Sequence, residues 1–245
     1  MRYLVTTSYR GTNYCGWQKQ SVSKLPSIEA SVENVLSRIL NENIKIYGSG
    51  RTDAGVHALG QTFHFDTDKN IVISKFVHSL NELLPDDIRI LSMKEVPSDF
   101  HARYNAKQKT YIYKIRNAKA SNPFKFDLEY CLSQNLDLSK MVEASKLFLG
   151  EHNFQNFTSK DEDDSNFVRT IFDIQINKEN ENIVILMTGN GFMRYMVRMI
   201  VGTLIQVGLS KISVCDVKKN LENKERKPSS YKAPAHGLYL KEVCY

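Results

Sequence analysis

Gly48-Ser49-Gly50-Arg51-Thr52-Asp53-Ala54-Gly55-Val56-His57-Ala58 is the stretch around which this 245-residue chain is organised. The preceding Ile44-Lys45-Ile46-Tyr47 alternates apolar and polar residues and predicts a short strand feeding into it. Glycines at 48, 50 and 55 open backbone conformations closed to other residues and let another molecule approach closely. Into that bend the sequence sets one carboxylate, Asp53, between Arg51 and His57. Composition alone describes a surface turn, since Asp and Gly are ordinary turn residues. The order of the residues is more specific than that.

The chain is long enough for a large core, as one extended domain or two halves. Its net charge of +6 suits a polyanionic partner without demanding one. Cys15, Cys131, Cys215 and Cys244 form no Cys-x-x-Cys pair, and the six histidines are dispersed. That pattern speaks against a zinc site and against a disulfide framework, and it suits a reducing cytoplasm. The opening Met1–Thr6 reads as a strand, not a signal peptide, and no run reaches membrane-spanning length. Dinucleotide, phosphate-loop and nucleophile-elbow motifs are absent.

Residues 2–9 predict a strand, followed by the glycine-punctuated Gly11–Gln18, where Trp17 has a packing or a surface role. Ser27 caps a helix running to Leu40, with Ile28, Val32, Val35, Leu36 and Ile39 at helical spacing. Gln61–Asp66 predicts a strand in which His64 is a satisfied strand histidine and not a catalyst. A helix over Ser74–Leu84 and strands over Ile88–Val96 and Thr110–Ile115 follow. The second half repeats the grammar, with helices over Leu138–Leu149, Phe192–Val207 and Val214–Glu222. A hairpin joins Phe167–Ile176 to Ile183–Thr188 across Asn177–Asn182, and Gly237–Tyr245 closes the chain as a strand. The fold class is therefore α+β. Asp161-Glu162-Asp163-Asp164 reads as a solvated acidic loop, and Glu222–Pro228 as a charged surface connector.

Two further stretches carry chemistry. On a helix over Phe192–Val207, Arg194 and Arg198 sit one turn apart and share a face. Either both reach solvent along a polar stripe, or one pairs with a carboxylate in a cleft, with Asp53 the obvious candidate. In Lys109–Ile115 the period of two puts Tyr111 and Tyr113 on one face. Strand tyrosines are ordinarily core or sheet surface; an exposed one stacks on an unpaired base.

Arg51-Thr52-Asp53-Ala54-Gly55-Val56-His57-Ala58 resembles the signature of the tRNA pseudouridine synthase A family. Further motifs agree in order along the chain: Gly11–Gln18, Phe100–Ala106, Lys109–Tyr113, Asn166–Ile171, Met196–Gly202 and Ala233–Leu240. The resemblance implies a pseudouridine synthase fold, with two ferredoxin-like halves (residues 1–105 and 106–245) whose antiparallel sheets join into one mixed sheet, the active cleft lying between them. It implies isomerisation of uridine to pseudouridine at positions 38–40 of the tRNA anticodon stem-loop, without cofactor or metal, by a cytoplasmic homodimer that needs no membrane. Asp53 is then the nucleophile, at C1′ or C6. Arg198 pairs with it and keeps it ionised, Tyr111 stacks on the target base, and Leu238 lines the apolar side of the pocket. Arg51, Arg103 and Arg194 are further substrate contacts, with Lys107 a candidate for phosphate. Another structured RNA such as ribosomal RNA, or RNA binding without catalysis, are the alternatives. One departure stands out: the family's aspartate before Gly11 is here Arg10.

Overall fold

A computed structural model describes residues 1–159 and 166–245, so the acidic stretch Asp161–Asp164 lies outside the described residues. Contacts divide the chain into two compact units, Met1–Lys107 with Tyr239–Tyr245, and Gln108–Leu238.

The first unit carries β1 (Arg2–Tyr9), α1 (Ile28–Leu40), β2 (Tyr47–Gly48), β3 (His57–Asp66), α2 (Ile73–Leu83) and β4 (Ile88–Val96). β1 lies between β4 and β3, antiparallel to both, and β2 pairs with the far edge of β3. This is the 4-1-3-2 order of a ferredoxin-like βαββαβ unit. α1 begins where the Ser27 hydroxyl accepts the Ala30 amide at 3.1 Å, and it ends at Asn41 in the left-handed region (φ 50°). Ile28, Val32, Leu36 and Leu40 form its buried stripe, against a core that includes Trp17, Phe63, Phe65 and Leu80.

Ile44–Tyr47 is not the expected strand. The Ile44 amide donates to Ser37 Oγ and the Ile46 amide to Glu33 Oε1, both at 2.9 Å, so side chains of α1 take the groups a strand partner would have used. Pairing is confined to Tyr47 and Gly48, opposite His64 and Phe63.

The second unit carries β5 (Gln108–Arg116), β6 (Tyr130–Cys131), α3 (Leu138–Ser145), β7 (Gly150–Asn153), β8 (Val168–Glu179), β9 (Asn182–Gly189), α4 (Met196–Gly208) and α5 (Val214–Glu222). Its antiparallel order is β5-β9-β8-β7, with β6 parallel to β5. The β8–β9 turn is tighter than expected, because Glu179 already pairs with Asn182 and Asn180 takes φ 54°. α4 starts four residues later than its periodicity predicts: Tyr195 sits at φ 61°, a conformation that no right-handed helix can contain. Arg194 therefore lies outside the helix and shares no helical face with Arg198. Gly208 lets α3 approach, since a Cβ there would lie 2.7 Å from Met141 Sδ.

β10 (Leu238–Cys244) closes the chain, and Tyr239 and Leu240 run parallel to His57 and Ala58 of β3. Among the described residues no helix is long and apolar enough to cross a membrane.

Candidate active site

Asp53 stands half-buried on a loop held from both sides. On the upstream side Ser49 donates its amide to the Thr62 carbonyl at 2.8 Å and its hydroxyl to Gln61 Oε1 at 2.6 Å. The Gln61 amide group then donates to the Gly50 carbonyl at 3.0 Å. From the Gly11–Trp17 segment, the Trp17 amide donates to the Thr52 carbonyl at 3.0 Å and Gly16 bridges Asp53. The Tyr9 and Thr52 hydroxyls bond at 2.8 Å in the interior, where burial pushes the Tyr9 phenol well above its ordinary pKa. The Gly11 amide donates to His57 Nδ1 at 3.0 Å, so that nitrogen is the unprotonated one.

Shape explains why this segment is glycine-rich. A Cβ on Gly11 would lie 2.0 Å from the Val56 carbonyl oxygen, and one on Gly16 would lie 2.6 Å from that of Thr52. Gly16 also takes φ 111°. Of the glycines expected to bend the Asp53 loop, Gly55 does so at φ 75°, whereas Gly48 makes room for the Trp17 indole. Trp17 is thus a packing residue, buried beside Tyr9 and Phe63. Such bracing places a carboxylate without leaving its position to loop motion, as a reacting group requires.

Arg51 is exposed at the start of this loop, and Arg103 is exposed with its guanidinium 5.8 Å from the Tyr104 ring centroid. His64 is satisfied as expected, its Nδ1 accepting the Ala102 amide at 3.1 Å, and the structure buries it. Arg10 is exposed too, but its amide donates to the Asp87 carbonyl, and the Asp87 carboxylate takes the Tyr14 hydroxyl. An acid therefore does stand beside this loop, from the turn after α2.

In the second unit Tyr111 is buried on β5 and meets Phe192 edge to face at 5.2 Å. Tyr113, on the same face, donates its hydroxyl to the Pro234 carbonyl at 2.9 Å. One residue earlier, Arg198 Nε donates to the Ala233 carbonyl at 2.8 Å. Two successive carbonyls are thus held from β5 and α4, and they fix the approach to Leu238, which is buried at the start of β10. A Cβ on Gly237 would lie 2.7 Å from the Tyr113 ring, so the segment lies tight against it. Arg194 and Arg198, off a common helical face, still converge: their guanidinium carbons lie 4.9 and 5.3 Å from the Tyr195 ring centroid.

Tyr9, Gln61 and the Gly11–His57 contact were not evident from the motif. Their signal, a glycine loop of matching shape, is a spatial one.

Comparison with known proteins bears on what this arrangement serves. Residues 5–105 and 144–245 match the family model described as tRNA pseudouridine synthase. The chain is 44% identical over 237 residues to the tRNA pseudouridine synthase A 2 of Clostridium tetani, covering 97% of this chain and 96% of that one. It is 41% identical over 242 residues to the tRNA pseudouridine synthase A of Caldicellulosiruptor saccharolyticus, covering 99% and 98%. For the Staphylococcus aureus tRNA pseudouridine synthase A the identity is 40% over 243 residues, covering 99% and 91%. The chain belongs to the tRNA pseudouridine synthase family, a family of isomerases.

Proposed function

We propose that this protein converts uridine to pseudouridine in the anticodon stem-loop of tRNA, at positions 38–40, with Asp53 as nucleophile. The N1–C1′ bond breaks, the uracil turns, and a C5–C1′ bond forms; C5 gives up its proton to solvent and N1 takes one. The target base leaves its stack to reach the enzyme, as base-modifying chemistry requires. In this reading Arg198 is the cation that keeps the Asp53 carboxylate ionised. Tyr111, buried beside Phe192, is the stacking ring and has to be uncovered to meet the base; Leu238 is an apolar wall, and Arg51, Arg103 and Arg194 contact the RNA. The protein works in the cytoplasm as a homodimer.

The observation that supports the reading best is the bracing of Asp53. A loop with its amides and carbonyls committed on both sides, around a half-buried carboxylate, is built for position. The experiment is tritium release from tRNA labelled at uridine C5, with Asp53→Asn run beside the unaltered protein. Release by the unaltered protein alone is expected. Release by both would remove Asp53 from its role, and release by neither, with tRNA bound, would move the substrate to another RNA or leave binding alone.

A further inference from the structure

Three cations lie close to the Tyr195 ring. Lys232 Nζ lies 4.3 Å from its ring centroid, with the Arg194 and Arg198 guanidinium carbons at 4.9 and 5.3 Å. The Arg194 guanidinium also donates to the Tyr195 hydroxyl at 3.2 Å. Arg194 and Lys232, like charges set against one ring, repel one another, and the ring's quadrupole offsets only part of that. Arg194 and Lys232 are exposed, and among the described residues neither has a carboxylate partner.

The backbone adds a second cost at the same place. Tyr195 holds φ 61°, which an aromatic residue adopts at a penalty. That turn is fixed, because the Arg194 carbonyl accepts both the buried Thr158 hydroxyl at 3.0 Å and the Ser159 amide at 3.3 Å. Lys232 is fixed from the other side through its neighbour Ala233, bonded to Arg198 in both directions. Strain and charge repulsion are thus concentrated on one presented surface.

We infer that Arg194 and Lys232, both set against the Tyr195 ring, form a binding site for a backbone phosphate of the substrate RNA. The ligand class follows from the chemistry: two exposed cations of different geometry suit a doubly coordinated anionic oxygen group, and a guanidinium fork suits a phosphate in particular. The assignment of that phosphate to RNA rests on the proposed function. Contacts of this kind set affinity and register and carry no base preference.

The test is tRNA affinity as a function of salt for the unaltered protein, Arg194→Gln, Lys232→Gln and the double variant, together with tritium release and melting temperature. Each single variant is expected to raise KM roughly two- to fivefold at physiological salt with kcat kept. Each is expected to flatten the slope of log affinity against log salt by about 0.7 to 0.9. Melting temperatures should stay level or rise, because like charges have been removed. Unchanged slopes with falling melting temperatures would mean that the cations answer a charge within the chain, and would overturn the site. If tritium is released while the slopes match, the site falls and the function stands. If the slopes flatten as expected with no tritium released by the unaltered protein, the phosphate site stands and the function falls. No tRNA binding at any salt would remove both.

Discussion

Arg198 and Ala233 are bonded to each other in both directions: Arg198 Nε donates to the Ala233 carbonyl at 2.8 Å, and the Ala233 amide donates to the Arg198 carbonyl at 3.0 Å. The arginine's side chain is therefore set by the segment that leads to Leu238, and that segment is set by the arginine. An ammonium group at this position would carry the charge without the fixed Nε–H, so lysine is not a conservative replacement.

Arg198→Lys is expected to lower unfolding free energy by about 1–3 kcal/mol, since the carbonyl of buried Ala233 loses a charge-assisted donor. That corresponds to a melting temperature lower by several degrees. Under the proposed function tritium release also falls, although the positive charge is retained. A thermal melt that matches the unaltered protein would show that the two-way bond contributes nothing.

Gly16→Ala attacks the Asp53 loop without touching Asp53. The new Cβ would meet the Thr52 carbonyl oxygen at 2.6 Å and the Asp53 carbonyl carbon at 3.1 Å, on a backbone at φ 111°. Backbone cannot step aside as a flexible side chain can. The expected loss is of order 2–4 kcal/mol in denaturant unfolding, and turnover should fall further than tRNA affinity does. Normal stability and turnover would refute the account of how this loop is braced.

His64 makes stability pH-dependent. Burial, followed by the nearby charges of Arg2 and His101, pushes its pKa down to about 4 from an ordinary 6.5. The unfolded chain takes up a proton near pH 6.5, whereas the folded protein resists it until about pH 4. The contribution is complete above pH 6.5 and is lost as pH falls through that window, by at most about 1.4 kcal/mol per pH unit. Urea unfolding between pH 7 and pH 4.5 reads this slope. His64→Gln should be less stable at neutral pH and show a shallower acid limb; identical limbs would place the acid sensitivity elsewhere.

Local pattern and tertiary context divide the explanation of this molecule cleanly. β4 over Ile88–Val96 and α5 over Val214–Glu222 appear where the periodicity puts them, and α1 starts at its Ser27 cap. Those features are decided within one or two turns of chain, so a reader of the sequence has all the information they depend on. The same holds for the motif around Asp53, whose residues are contiguous and whose order carries the family resemblance.

Contacts between distant residues are another matter. Ile44–Ile46 has the alternation of a strand, yet its amides go to Glu33 and Ser37 because α1 happens to present oxygens there. Arg194 and Arg198 have helical spacing, yet Tyr195 turns the backbone between them and gathers both, with Lys232, on one ring. Tyr9 meets Thr52 across 43 residues, and Gly11 meets His57 across 46. Spacing along a chain reports which side of an element a residue occupies. Which hydrogen-bonding group stands opposite it depends on packing, and packing is settled only when the whole fold has closed.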